Sequence, residues 1–71
     1  MLKIELLLRN SDLTLAVQRK VEEDANALYE QILSAINAER IQILKLTCDR
    51  HPKTKIAVLS SEIIAVNLSE N

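Results

Sequence analysis

The 71-residue sequence has no Gly, no Phe and no Trp, and one each of Pro, Cys, Met, Tyr and His. Each absence removes a class of chemistry. Without Gly there is no glycine-rich phosphate loop, no dinucleotide-binding fingerprint and no EF-hand turn, because those backbones need a residue lacking Cβ. A single Cys excludes an internal disulfide, and one Cys with one His cannot supply the four ligands of a structural zinc site. With Tyr29 as the one aromatic side chain, successive nucleic-acid bases have nothing to stack on. The opening Met1–Leu8 run is broken by Lys3 and Glu5, unlike a secretory core or the about 20 apolar residues of a membrane span. The lone Cys48 fits a reducing interior, so a soluble cytoplasmic protein is expected.

What is present is apolar and nearly neutral: 48% hydrophobic, 27% charged, net charge −1. Composition of that kind folds rather than staying disordered, and it lacks the basic excess of a whole-surface nucleic-acid binder. The length allows one domain, residues 1–71. A core below roughly 70–80 residues rarely supplies more than about 3–5 kcal/mol, and small domains add disulfides, metals or a partner. The first two are excluded by the cysteine and histidine counts, so self-association is expected.

Hydrophobic periodicity orders the elements. Leu2, Ile4, Leu6 and Leu8 alternate with Lys3, Glu5, Leu7 and Arg9, the pattern of a half-buried strand. Asn10-Ser11-Asp12 makes a turn without Gly, since Asn and Asp tolerate left-handed φ. Leu13, Leu15 and Val17 alternate with Thr14, Ala16 and Gln18 and complete a hairpin. The period then becomes 3.6: Val21, Ala25, Leu28, Ile32 and Ile36 form a stripe widened by Tyr29, Leu33 and Ala35, a helix over about 21–38. Glu22, Glu23 and Asp24 suit its first turn, where the dipole favours anions, although no Ser or Thr is placed to cap it.

Period two returns after Ile41. Leu44, Leu46 and Cys48 oppose Ile43, Lys45 and Thr47. Asp49–Thr54 reads as a polar loop, and Ile56 and Val58 then oppose Ala57 and Leu59. Ser60-Ser61-Glu62 interrupts, and Ile64, Val66 and Leu68 oppose Ile63, Ala65 and Asn67. The expected fold is α+β, in the order ββαβββ, as a single sheet with one helix on one face. The uncovered face would carry Leu7, Ile43, Ala57, Leu59 and Ile63, which makes it the candidate surface for a second copy.

Candidate chemistry is sparse. Cys48 and His51 have a Cys-x-x-His spacing with nothing to complete a metal shell; the thiol reads as a small core hydrophobe. Ser60, Ser61, His51 and Asp49 are the residue types of a nucleophilic triad, but no nucleophile elbow or oxyanion hole is evident, and the serines read as a bend. Glu22, Glu23 and Asp24 are adjacent on a helix and do not converge on one ion. No catalytic, cofactor or metal residue is therefore assigned. Arg50, His51, Lys53 and Lys55 crowd one hairpin, with Lys45 on the preceding strand, and form a candidate contact for phosphates or RNA. Arg19 and Lys20 close the first hairpin, and nothing in the spacing joins them to that loop.

The strings Leu15–Lys20, Glu23–Tyr29, Leu44–Cys48 and Lys55–Val66 resemble a small family of uncharacterised cyanobacterial proteins of about this length. The resemblance spans nearly the whole chain. It implies the cytoplasm of a photosynthetic prokaryote and brings no catalytic or binding residue. The sequence thus leads to a non-enzymatic protein-interaction module forming a homodimer, with a weak RNA- or anion-binding accessory protein as the alternative.

Overall fold

A computed structural model describes residues 1–70. The elements are β1 (Leu2–Leu8), β2 (Thr14–Arg19), α1 (Glu22–Asn37), β3 (Ile43–Cys48), β4 (His51–Leu59), a 3₁₀ turn (Ser60–Glu62) and β5 (Ile63–Glu70). The ββαβββ order and the single helix match the reading of the sequence. The single sheet does not. The strands form an antiparallel three-stranded sheet in the order β2-β1-β5, and β3 and β4 form a separate antiparallel hairpin.

β1 is central because both of its backbone edges are used. It pairs with β2 from Leu2↔Arg19 to Leu7↔Thr14 and with β5 from Leu2↔Glu70 to Leu7↔Ala65. The β1–β2 turn replaces Gly with Asn10, at φ 57°, which Asn occupies at lower cost than other side chains. The Leu13 N–H donates to Ser11 Oγ at 3.0 Å, fixing the same loop. Leu13 lies before β2 and is exposed, so the alternation that included it begins one residue too early.

The helix starts at Glu22 with no side-chain cap; the Ala25 N–H closes its first turn on the Val21 carbonyl at 3.1 Å. Its buried stripe is Ala25, Leu28, Ile32 and Ala35, and it packs on the three-stranded sheet. The stripe is narrower than the periodicity indicated: Val21, Leu33 and Ile36 are exposed. The hairpin completes the same core. Ile4, Leu6 and Val17 of the sheet, the helix stripe, and Leu44, Leu46, Cys48 and Val58 of the hairpin form one buried cluster.

The two sheets meet where β2 and β3 end. The Asp49 N–H donates to the Gln18 carbonyl at 2.9 Å, but the Gln18 N–H turns to Cys48 Sγ at 3.2 Å rather than to a backbone carbonyl. The contact stays at the strand ends, and β2 and β3 do not form a ladder. At the far end, the Ser60 N–H donates to the Gln42 carbonyl at 2.8 Å, and the Gln42 N–H to Ser60 Oγ at 2.9 Å. The Arg9 N–H donates to the Glu62 carbonyl at 2.7 Å.

Two register shifts correct the strand faces. In β5, Leu7 opposes Ala65 but Leu8 opposes Ile63, so Ile64 is an extra residue. A bulge of this kind reverses the in–out alternation beyond it. Ile63 therefore enters the core at 4% exposure, and Ile64 stands outside at 58%. Ile63 is not on the open face. In the hairpin, Thr47 opposes Lys55 and Cys48 opposes His51, so Pro52, Lys53 and Thr54 bulge outward. What read as a six-residue loop is a two-residue Asp49–Arg50 turn followed by a strand that already begins at His51.

Candidate functional site

Topology gives the molecule two unlike ends. β1 and β4 run one way along with α1, and β2, β3 and β5 run back. One end holds the 49–50 turn, the 20–21 connection and the helix start; the other holds the loops 9–13 and 38–42 and the Ser60–Glu62 turn.

The first end is charged. Arg50, His51, Lys53 and Lys55 are all exposed around the turn and bulge. The structure adds Arg19 and Lys20 to them. Arg19 Nη1 donates to the carbonyls of its neighbour Gln18 at 3.0 Å and of Thr47 at 2.6 Å, and the Lys20 N–H donates to Asp49 Oδ2 at 3.0 Å. The end of β2 is thus docked on the end of β3, a tertiary contact between positions 28 and 29 residues apart that no local pattern reveals. Glu22, Glu23 and Asp24 stand exposed at the neighbouring helix start.

Cys48 is buried at this end. Burial pushes its thiol up, but the N–H groups of Gln18, Arg50 and His51 and the charge of Arg19 outweigh burial and hold it below its ordinary value. The His51 side chain stays in solvent while the thiol faces the core, so the Cys-x-x-His spacing does not bring a convergent pair. Among the described residues, no three His, Cys, Asp or Glu side chains are placed to share a metal ion.

The triad types are separated. Ser60 and Ser61 lie at one end of β4, and Asp49 and His51 at the other. Ser60 is buried, and its hydroxyl accepts the Gln42 N–H, so it works as the clasp between the 38–42 loop and the 3₁₀ turn. Ser61 is exposed, and its carbonyl accepts from Arg9 Nε at 3.5 Å.

The second end gathers exposed apolar side chains among the charged Arg9, Asp12, Glu39, Arg40 and Glu62. Among the described residues, eight of the ten exposed large apolar side chains lie there: Leu7, Leu13, Leu33, Ile36, Ile41, Ile43, Leu59 and Ile64. The sharpest feature is a cross-strand pair on the outer face of the hairpin, Ile43 opposite Leu59, at 65% and 44% exposure. Ala57, opposite Lys45, continues that face, and Ile41 precedes it. Beside the pair, Lys45, Thr47, Lys55 and Ala57 border a shallow groove. Of the five residues assigned to the open face from sequence, Leu7, Ile43, Ala57 and Leu59 are exposed, and Ile64 takes the place of Ile63. Leu7 belongs to the outer face of the other sheet, between Thr14 and Ala65, so the five do not form one surface.

No helix of the described residues is long and apolar enough to cross a membrane. Residues 3–71 match the UPF0367 protein family. A UPF0367 protein of Acaryochloris marina is 51% identical over 99% of this chain and 80% of its own length. One from Prochlorococcus marinus is 47% identical over 99% and 80%, and one from Synechocystis 41% over 99% and 75%. These names carry the family designation and no activity. No solved structure matches the chain.

Proposed function

We propose that this chain, which belongs to the UPF0367 protein family, is a non-enzymatic interaction module of the cyanobacterial cytoplasm that self-associates through the outer face of its β3–β4 hairpin. The observation that carries this is the exposed Ile43–Leu59 pair. Apolar side chains directly opposite each other on a sheet form a continuous patch, and at such exposure they gain from being covered. The overall surface supports the same reading. It measures 5139 Å², whereas the scaling law for compact monomers gives about 4,450 Å² at this mass. An occupant made of a second copy is favoured by symmetry: a two-fold axis through a hairpin face meets the same patch on both sides. Sedimentation equilibrium of the wild-type protein and of Leu59→Glu tests it. Concentration-dependent mass in the wild type, lost in the variant, is expected; a wild-type monomer up to hundreds of micromolar refutes it.

The docking of Arg19 and Lys20 beside Arg50 supports a second reading, a weak anion or RNA contact at the charged end. It predicts binding to a short RNA that falls steeply with salt and is lost when Arg50, Lys53 and Lys55 are replaced by Ala.

A further inference from the structure

Charge on the hairpin is segregated. Its outer face is built from two rows, Ile43, Lys45 and Thr47 on β3 and Lys55, Ala57 and Leu59 on β4. That face holds two ammonium groups and no acid. Asp49, the one acid of the hairpin, sits half-buried in the turn and accepts the Lys20 N–H. Lys45 lies opposite Ala57, and Thr47 opposite Lys55, so the two lysines are diagonal neighbours across the strands. At such a spacing, about 7–8 Å, two long flexible stems can close on one oxyanion. Between them the surface is hollow, and the cause lies in the sequence: Ala57, the smallest side chain of the face, stands between Lys55 and Leu59. The resulting groove has a volume of about 480 Å³ and is lined by Lys45, Leu46, Thr47, Lys55, Ile56 and Ala57. Ligand sites of ordinary size occupy roughly 300–1,000 Å³ and combine apolar walls with a few polar groups.

We propose that this groove binds an amphipathic anion: a phosphate or carboxylate held between Lys45 and Lys55, beside the Thr47 hydroxyl, on an apolar body that lies over Ala57. This rests on the anion-binding reading of the basic hairpin and moves the contact from the Arg50 turn to the outer face. Charge complementarity selects the sign of the occupant, since no carboxylate lines the groove to repel an anion or to neutralise the lysines. The apolar lining selects its other half, because a bare inorganic ion would leave Ala57 and the groove walls uncovered. The surrounding charges favour one small molecule over a bilayer. Glu39 and Glu62 are exposed just before β3 and just after β4, and an anionic lipid surface laid on the hairpin would approach both. A single ligand in the groove leaves them in water.

Hexyl phosphate is the probe, titrated into the isotope-labelled chain and read on its amide resonances. Shifts centred on residues 45–47 and 55–57 are expected. Lys45 and Ala57 are exposed, so their replacement keeps the fold. Lys45→Ala removes one ammonium group, and Ala57→Leu fills the groove while keeping both; each should weaken binding by about tenfold or more. Arg50→Ala should leave it unchanged. Inorganic phosphate and hexanol should each bind about tenfold more weakly than hexyl phosphate. No shift with hexyl phosphate overturns the groove. Binding that Arg50→Ala lowers and Lys45→Ala leaves unchanged also overturns it, while the anion contact at the charged end survives. Hexyl phosphate bound at the groove by a chain that binds no RNA supports the groove and removes RNA from the charged end. Inorganic phosphate binding as tightly as hexyl phosphate, or phosphatidylglycerol vesicles binding more tightly, overturns the amphipathic ligand.

Discussion

The hairpin and the three-stranded sheet divide their exposed features in opposite ways. The hairpin guards its edge with Pro52, Lys53 and Lys55 and leaves Ile43, Ala57 and Leu59 on its outer face. The three-stranded sheet carries mostly polar residues on its outer face, including a Lys3–Glu5 ion pair at 3.6 Å, with Leu7 exposed between Thr14 and Ala65. The contrast teaches that two large exposed apolar side chains, Ile43 and Leu59, oppose each other on the hairpin, whereas Leu7 of the sheet has no such partner.

The largest expected effect tests whether the two sheets are one cooperative unit. Leu6 of the sheet and Leu46 of the hairpin belong to the same buried cluster. Leu6→Ala and Leu46→Ala should each cost about 2–5 kcal/mol in urea unfolding. Both should do so within one transition. A separate early transition for Leu46→Ala would mean that the hairpin is an independent appendage.

Next comes the hairpin face. Leu59→Glu and Ile43→Glu should weaken self-association by at least about tenfold, or about 1.4 kcal/mol, while leaving the urea midpoint of the dilute protein within error. Leu7→Glu, on the mostly polar outer face of the other sheet, should change the mass far less. An equal effect from Leu7→Glu would erase the contrast between the two faces.

The clasp between the 38–42 loop and the 3₁₀ turn should be smaller. Ser60→Ala leaves the Gln42 N–H without its acceptor and should cost about 1 kcal/mol, read from the urea midpoint. Faster amide exchange should follow at Gln42 and Ile43, with β1 unaffected.

The smallest effect is a pH dependence. The Cys48 thiol titrates below its ordinary value in the folded protein. The unfolded chain then binds more protons in the window between the folded and unfolded values, and stability rises with pH there. The contribution is full above the unfolded thiol value and is lost as pH falls through the folded one. A urea midpoint that rises modestly through mildly alkaline pH in the wild type, but not in Cys48→Ala, is the expected result. A fall in that window would mean that burial outweighs the backbone N–H groups around the sulfur.

Much of the fold was legible because its signals are local. The period change at Val21 and its reversal after Ile41 bracket the helix, and Asn10 carries the left-handed turn residue that a sequence without Gly must supply another way. What escaped was nonlocal. The Ile64 bulge adds one residue with no compositional mark, and it exchanged Ile63 for Ile64 on the surface. The docking of Arg19 and Lys20 on Thr47 and Asp49 depends on where two strand ends meet. The split into two sheets is a matter of which strands pair, and periodicity does not encode strand partners.

The central claim is self-association through the hairpin face, and sedimentation equilibrium across a hundredfold concentration range tests it most directly. A wild-type mass that rises with concentration, and a Leu59→Glu mass that rises measurably less, is the predicted result. A wild-type mass of one chain throughout, or one that Leu59→Glu leaves unchanged, would contradict it.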